Sequence, residues 1–130
     1  VNSQSAALNN KLVEFVPPIN FKTGVTFGTK NFAISYQYTY VQEHYTDATN
    51  AGKAADGSLV FIPAAIIGTI PSYSVMDLSL RYTYEVFQFE FGVNNLTNSF
   101  YFTRRATGYP GPGIIPSPVR NYYFTLQMRI

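Results

Sequence analysis

Two adjacent arginines, Arg104 and Arg105, are the residues of this chain best suited to grip a partner. A guanidinium is a planar fork of donors that matches a carboxylate at two points. In an extended strand neighbours point to opposite faces, so only one of the two could reach a ligand; the rival reading for the pair is contact with phosphate groups or loop packing. Arg120 reads as a strand-start anchor. A second group of charges, Lys22, Asp77, Arg81, Glu90 and Arg129, falls at every-other-residue positions of apolar-polar alternation. Such a row either holds a packed partner by hydrogen bonds and ion pairs or is simply solvated. His44 is the only histidine and stands beside Glu43 and Asp47, too few ligands for a metal centre. Asp77 and Glu90 sit in no enclosing cleft that would set up paired-carboxylate catalysis. There is no Ser-His-Asp or Cys-His arrangement and no phosphate-cradling glycine loop. The reading is a non-enzyme with no cofactor.

These residues are positioned by strands. The period of two is clearest at the end of the chain, where Tyr122, Phe124, Leu126, Met128 and Ile130 share one face and Tyr123, Thr125, Gln127 and Arg129 the other. Upstream, Ile19 to Gly28 sets Ile19, Phe21, Val25 and Phe27 against Asn20, Lys22, Gly24 and Thr26. After a turn at Thr29-Lys30-Asn31, Phe32 to about Tyr45 sets Phe32, Ile34, Tyr36, Tyr38 and Tyr40 against Ser35, Gln37, Thr39 and Glu43. Tyr73 to Tyr84 opposes Met76, Leu78 and Leu80 to Asp77, Ser79 and Arg81. A turn near Glu85-Val86 leads to a strand with Phe87, Phe89, Phe91 and Val93 on one face, expected to run past Asn98 to about Arg104. Asn94-Asn95 marks a bulge or a side-chain ladder there. Long connections rich in breakers separate these hairpins, from Thr46 to Ser72 and from Ala106 to Pro118. The second carries a rigid tip at Tyr109-Pro110-Gly111-Pro112-Gly113.

Only 12% of residues are charged, 17% are aromatic, cysteine is absent and the net charge is +2. That excludes a disulfide framework and gives no electrostatic footprint for nucleic acid. The fold class is all-β, about five antiparallel strands. Each strand approaches the roughly 9–11 residues that a tilted strand needs to cross a bilayer, and connections alternate short and long, as in outer-membrane barrels. A soluble sandwich also alternates, but unbroken apolar faces backed by charges favour lipid on one side. The expected lipid-facing rows are Phe32, Ile34 and Tyr36; Phe87, Phe89 and Phe91; and Phe124, Leu126 and Met128. Lys22, Asp77, Arg81, Glu90 and Arg129 then face the lumen or a plug. Five strands leave backbone groups unpaired at both edges in lipid, so residues 1–130 read as the C-terminal part of a larger barrel.

Four stretches carry a family resemblance. SYSVMDLSLRYTY at 72–84 resembles the third-from-last strand of TonB-dependent outer-membrane receptors, with Tyr73, Val75 and Asp77 in matching places. GVNNLTN at 92–98 resembles that family's motif on the penultimate strand. Residues 101–124 resemble its last extracellular loop and the Arg-x-aromatic-aromatic start of its final strand, and TDATN at 46–50 its loop after an outgoing strand. The combination is most similar to the ferric-citrate-type, iron-siderophore branch. Two departures stand out: the chain ends in Ile130 where an aromatic is usual, and it carries no plug domain or TonB box.

The resemblance implies a barrel of about 22 strands, with the C-terminus in the periplasm of a bacterial outer membrane. It implies a transport receptor for a ferric chelate, citrate- or siderophore-type; such a chelate is anionic, which makes Arg104 and Arg105 the candidate ligand-binding residues by their own chemistry. The implied partners are the rest of the barrel and its plug domain, the TonB complex, the ferric chelate and outer-membrane lipids. Nucleic acid is not among them. Rival readings are a passive porin-like channel and a surface adhesion or assembly module.

Overall fold

A computed structural model of the chain describes residues 10–50, 68–106 and 113–129. Most of the first long connection, the tip at Tyr109 to Pro112 and the terminal Ile130 lie outside the described residues. In chain order the strands are β1 (Asn20–Gly28), β2 (Phe32–Val41), β3 (His44–Tyr45), β4 (Thr69–Ile70), β5 (Tyr73–Tyr84), β6 (Phe87–Asn94), β7 (Phe102–Ala106), β8 (Gly113–Pro116) and β9 (Asn121–Met128). There is no helix among the described residues. Two compact units result, one of Asn20–Tyr40, Ser74–Phe100 and Pro118–Ile130, the other of Val1–Ile19, Val41–Tyr73 and Tyr101–Ser117.

The first unit is a five-stranded sheet in the order β1-β2-β5-β6-β9, so the five expected strands neighbour one another in sequence order. β5 pairs antiparallel with β6, and β6 with β9. Their registers align whole rows. Leu80, Phe91 and Phe124 lie abreast, then Tyr82, Phe89 and Leu126, then Tyr84, Phe87 and Met128. The interleaved rows are Arg81, Glu90 and Thr125, and Thr83, Gln88 and Gln127. Because the side-chain period is two, this register puts these apolar rows, drawn from three strands, on one face. Rings stack along it: Tyr82 on Phe89 at 6.5 Å and Phe91 on Tyr122 at 6.3 Å. On the β1–β2 hairpin, Phe21 and Tyr38 meet at 6.4 Å, while the hydroxyls of Thr26 and Ser35 bond on the other face at 2.9 Å. The apolar face is not covered by its own chain: Phe124 is 65% exposed.

The turns follow from local sterics. Gly28 ends β1 where a Cβ would come within 2.8 Å of the Phe32 carbonyl oxygen. The two-residue turn between Tyr84 and Phe87 needs a left-handed residue, and Glu85 supplies it at φ 51°. Asn31 docks the first turn on β5, accepting the Thr83 N–H at its carbonyl (2.7 Å) and donating Nδ2 to the Thr83 carbonyl (3.1 Å).

Two expected strands are shorter than the alternation predicts. β2 stops at Val41, one residue before the Gln42 N–H makes a last in-register bond to the Ile19 carbonyl; His44 and Tyr45 form the separate β3, paired with β4. β6 does not run on to Arg104. It stops at Asn94, because Asn95 and Asn98 take left-handed φ of 54° and 55°, which no continuing strand accommodates. The chain re-extends as β7, which pairs with β8 so that the Gly/Pro-rich connection becomes a second short ribbon. β3–β4 and β7–β8 belong to the second unit, whose buried residues include Val41, His44, Thr46, Gly68, Thr69, Ile70 and Ala106; Ile70 is fully enclosed.

Candidate functional site

The polar face of the sheet gathers side chains from four strands. Ser35 and Gln37 of β2, Asp77 and Ser79 of β5, Asn94 of β6 and Tyr123 of β9 line a shallow recess of about 100 Å³. A wider, open recess beside it holds Lys22 with Gln37 and Asp77. Of the charges singled out in the sequence, Lys22 and Asp77 share that second recess, and Arg81 stands directly across from Glu90. Arg129, just past β9, donates its backbone N–H to the Val86 carbonyl.

Sequence reasoning missed Tyr123. Its hydroxyl donates to Glu90 Oε1 at 3.1 Å, and its ring covers Gly92, its cross-strand partner, so closely that a Cβ there would overlap the ring. The signal was a glycine inside a strand, which marks the close approach of another group. Here that group is an aromatic ring facing the polar side.

Asn94 and Asn95 do different work. Asn94 Nδ2 donates to Asn121 Oδ1 at 2.9 Å, the cross-strand ladder the pair announced. Asn95 is almost fully buried and joins three segments. Its N–H donates to Asp77 Oδ1, its Oδ1 accepts the Ser99 N–H, and its Nδ2 donates to the carbonyls of Ser99 (2.8 Å) and Pro118 (3.3 Å). Asp77 is therefore not only a face residue; it fixes the turn that ends β6. Asn98 completes the motif, its Oδ1 accepting the Arg120 N–H at 3.1 Å. Arg120 thus anchors the start of β9 through its backbone.

TDATN is a set of clasps. The Thr46 hydroxyl donates to the Gly68 carbonyl and accepts the Gly68 N–H, at 2.8 and 3.0 Å. Asp47 Oδ2 accepts both the N–H and the hydroxyl of Thr49. Asn50 bonds both backbone groups of Leu12, accepting its N–H at 2.7 Å and donating to its carbonyl at 2.8 Å. His44 is buried, with Nδ1 3.0 Å from the Gln42 carbonyl, and no cluster of metal-ligating side chains forms among the described residues.

The two arginines separate as their adjacency requires, with a twist supplied by a bulge. Phe102 pairs with Pro116 but Arg104 with Ile115, so Thr103 is the extra residue. That brings Phe102 and Arg105 to one face of the ribbon and Arg104 to the other. Arg105 Cζ lies 5.4 Å above the Phe102 ring, and its Nη2 donates to the Thr69 carbonyl at 3.0 Å. Arg104 is exposed.

Known proteins share this fold. The ferric citrate transporter FecA in its unliganded form superposes with a TM-score of 0.76 at 20% identity, over 94% of this chain and 18% of that one. The ferric yersiniabactin uptake receptor FyuA from Yersinia pestis gives 0.64 at 17% identity, over 89% of this chain and 17% of that one. The copper transporter OprC gives 0.62 at 17% identity, over 91% and 17%. At these identities the likeness establishes the fold, and the chain spans under a fifth of each transporter's length. No curated protein sequence matches the chain. The family model described as "TonB dependent receptor-like, beta-barrel" matches residues 2–96. That match covers most of the sequence, and the chain belongs to the TonB-dependent receptor β-barrel family, outer-membrane receptors rather than enzymes.

Proposed function

We propose that this chain supplies the last strands and two extracellular loops of a receptor that imports an anionic ferric chelate, of citrate or siderophore type, across the outer membrane. Its apolar rows, Phe32, Ile34 and Tyr36, Phe87, Phe89 and Phe91, and Phe124, Leu126 and Met128, face lipid. Lys22, Asp77, Arg81, Glu90 and Arg129 face the lumen and a plug domain supplied by the rest of the receptor, which engages TonB. The C-terminus is periplasmic, which puts the short turns at Asn31 and Glu85 on the periplasmic side and the two ribbons outside. The supporting argument is continuity: in lipid every backbone group must be paired, so a sheet of this kind must close with further strands.

The observation that carries the ligand reading is Arg104, exposed on a short ribbon. An exposed cation at the mouth raises the capture rate of an anion, and does so less as salt screens it. Arg104→Gln in the complete receptor should therefore weaken ferric citrate binding at low salt by about two- to fivefold, the worth of one exposed charge contact, and less at physiological salt. Unchanged binding at both salts, with normal surface abundance, would remove Arg104 from the ligand site.

A further inference from the structure

We infer that Arg105 is a positioning residue that ties the two ribbons of the second unit together, so that a ligand held by one is felt by the other. The inference rests, for the ligand, on the reading of Arg104 above; the clamp itself rests on geometry alone.

Arg105 belongs to β7, yet its guanidinium bonds the carbonyl of Thr69 in β4, 36 residues away, at 3.0 Å. The contact is shaped on both sides. Phe102 backs the guanidinium at 5.4 Å, an arrangement that exists only because the bulge at Thr103 turns both residues to one face. On the other side the fork lies over Gly68, where a Cβ would sit 3.3 Å from Nη2, and Gly68 holds φ 144°, a value that disfavours any side chain. Gly68 is in turn gripped by Thr46 through its N–H and its carbonyl. A continuous series therefore runs from Thr46 through Gly68 and Thr69 to Arg105, and along β7 to its neighbour Arg104. Thr46 and Thr69 are buried, and a charge-assisted bond in such surroundings is stronger than one in water. Arg104 faces away, so a ligand there leaves the clamp intact and pulls on a ribbon already fastened to its neighbour.

The test is amide hydrogen exchange on the complete receptor in detergent. Wild type, Arg105→Gln and Arg105→Lys are compared, with barrel integrity checked by heat-modifiable migration. Without ligand, Arg105→Gln should speed exchange of the amides at 44–46 and 68–70 about tenfold or more, although none of them is in β7. Arg105→Lys, which keeps the charge but not the fork, should fall between. Unchanged exchange at 44–46 and 68–70 in the Gln variant overturns the clamp. Ferric citrate is then added. In wild type it should slow exchange at both ribbons, and in Arg105→Gln at 102–106 alone. Equal slowing at both ribbons in the two proteins overturns the coupling. Absence of slowing in wild type overturns the Arg104 reading while the ligand-free comparison still decides the clamp.

Discussion

The sheet and the connections between its strands are held together by opposite means. In the sheet, identity hardly matters beyond class: apolar rows such as Leu80, Phe91 and Phe124 lie abreast and polar rows lie between them, and the backbone ladder does the rest. In the connections, individual side chains replace the ladder. Asn95 makes five hydrogen bonds through its backbone and side chain, Thr46 closes on Gly68, and Asn50 mimics a strand partner for Leu12. The contrast follows from the accounting of backbone polar groups. A regular strand pairs its N–H and C=O groups with the next strand, whereas a turn must find side-chain partners or water for each. A sheet of this kind therefore tolerates exchange within a class, and its turns tolerate very little.

Four substitutions test that contrast, from largest effect to smallest. Phe124→Arg places a charge on the apolar face and should destabilise the complete receptor by about 2–4 kcal/mol if that site lies near the bilayer midplane, while Thr125→Arg next to it should be nearly neutral. Equilibrium unfolding in lipid vesicles reads both, and equal effects would erase the distinction between the faces. Asn95→Ala removes buried hydrogen bonds and leaves an alanine in the left-handed region, at about 2–3 kcal/mol. Asn95→Gly relieves the backbone part and should recover about 1 kcal/mol of it in the same unfolding assay.

Gly92→Ala forces the Tyr123 ring aside and loosens its bond to Glu90, at about 1 kcal/mol. Most of that cost should vanish in a Tyr123→Ser background, so a double-mutant cycle showing additivity would mean the ring and the glycine do not interact. Asn50→Gly keeps the left-handed backbone at φ 53° and removes three side-chain bonds, two to Leu12 and one to the Asp47 carbonyl, and should cost about 0.5–1 kcal/mol. Its signature is local: faster amide exchange at Leu12, with the rest of the chain unchanged.

The same contrast governs what the sequence discloses. Most of Tyr73 to Tyr84 is legible because apolar and polar positions alternate without interruption from Met76 up to a turn. β6 reads correctly in face but not in length. Alternation says nothing about backbone handedness, and the two asparagines that end the strand look like polar strand residues until their φ values are known. Pairing between β7 and β8 is hidden for a related reason, since the segment reads as a loop of glycines and prolines. Of the site residues, Asp77, Arg81 and Glu90 are predictable as one row, because a face is a matter of parity. Tyr123 is not, because its role depends on which residue stands opposite it on another strand. The separation of Arg104 from Arg105 is foreseeable from strand geometry, but the partner that claims Arg105 lies 36 residues away and leaves no local mark.

The central claim is that one face of this sheet meets lipid and the other meets the lumen. Spin labels placed singly at residues 122 to 128 of the complete receptor, reconstituted in lipid vesicles, test it most directly through their accessibility to oxygen and to a water-soluble nickel complex. Oxygen accessibility should peak at 122, 124, 126 and 128, with the nickel complex favouring 123, 125 and 127. Oxygen peaks at the odd positions, or no period of two in either profile, would contradict it.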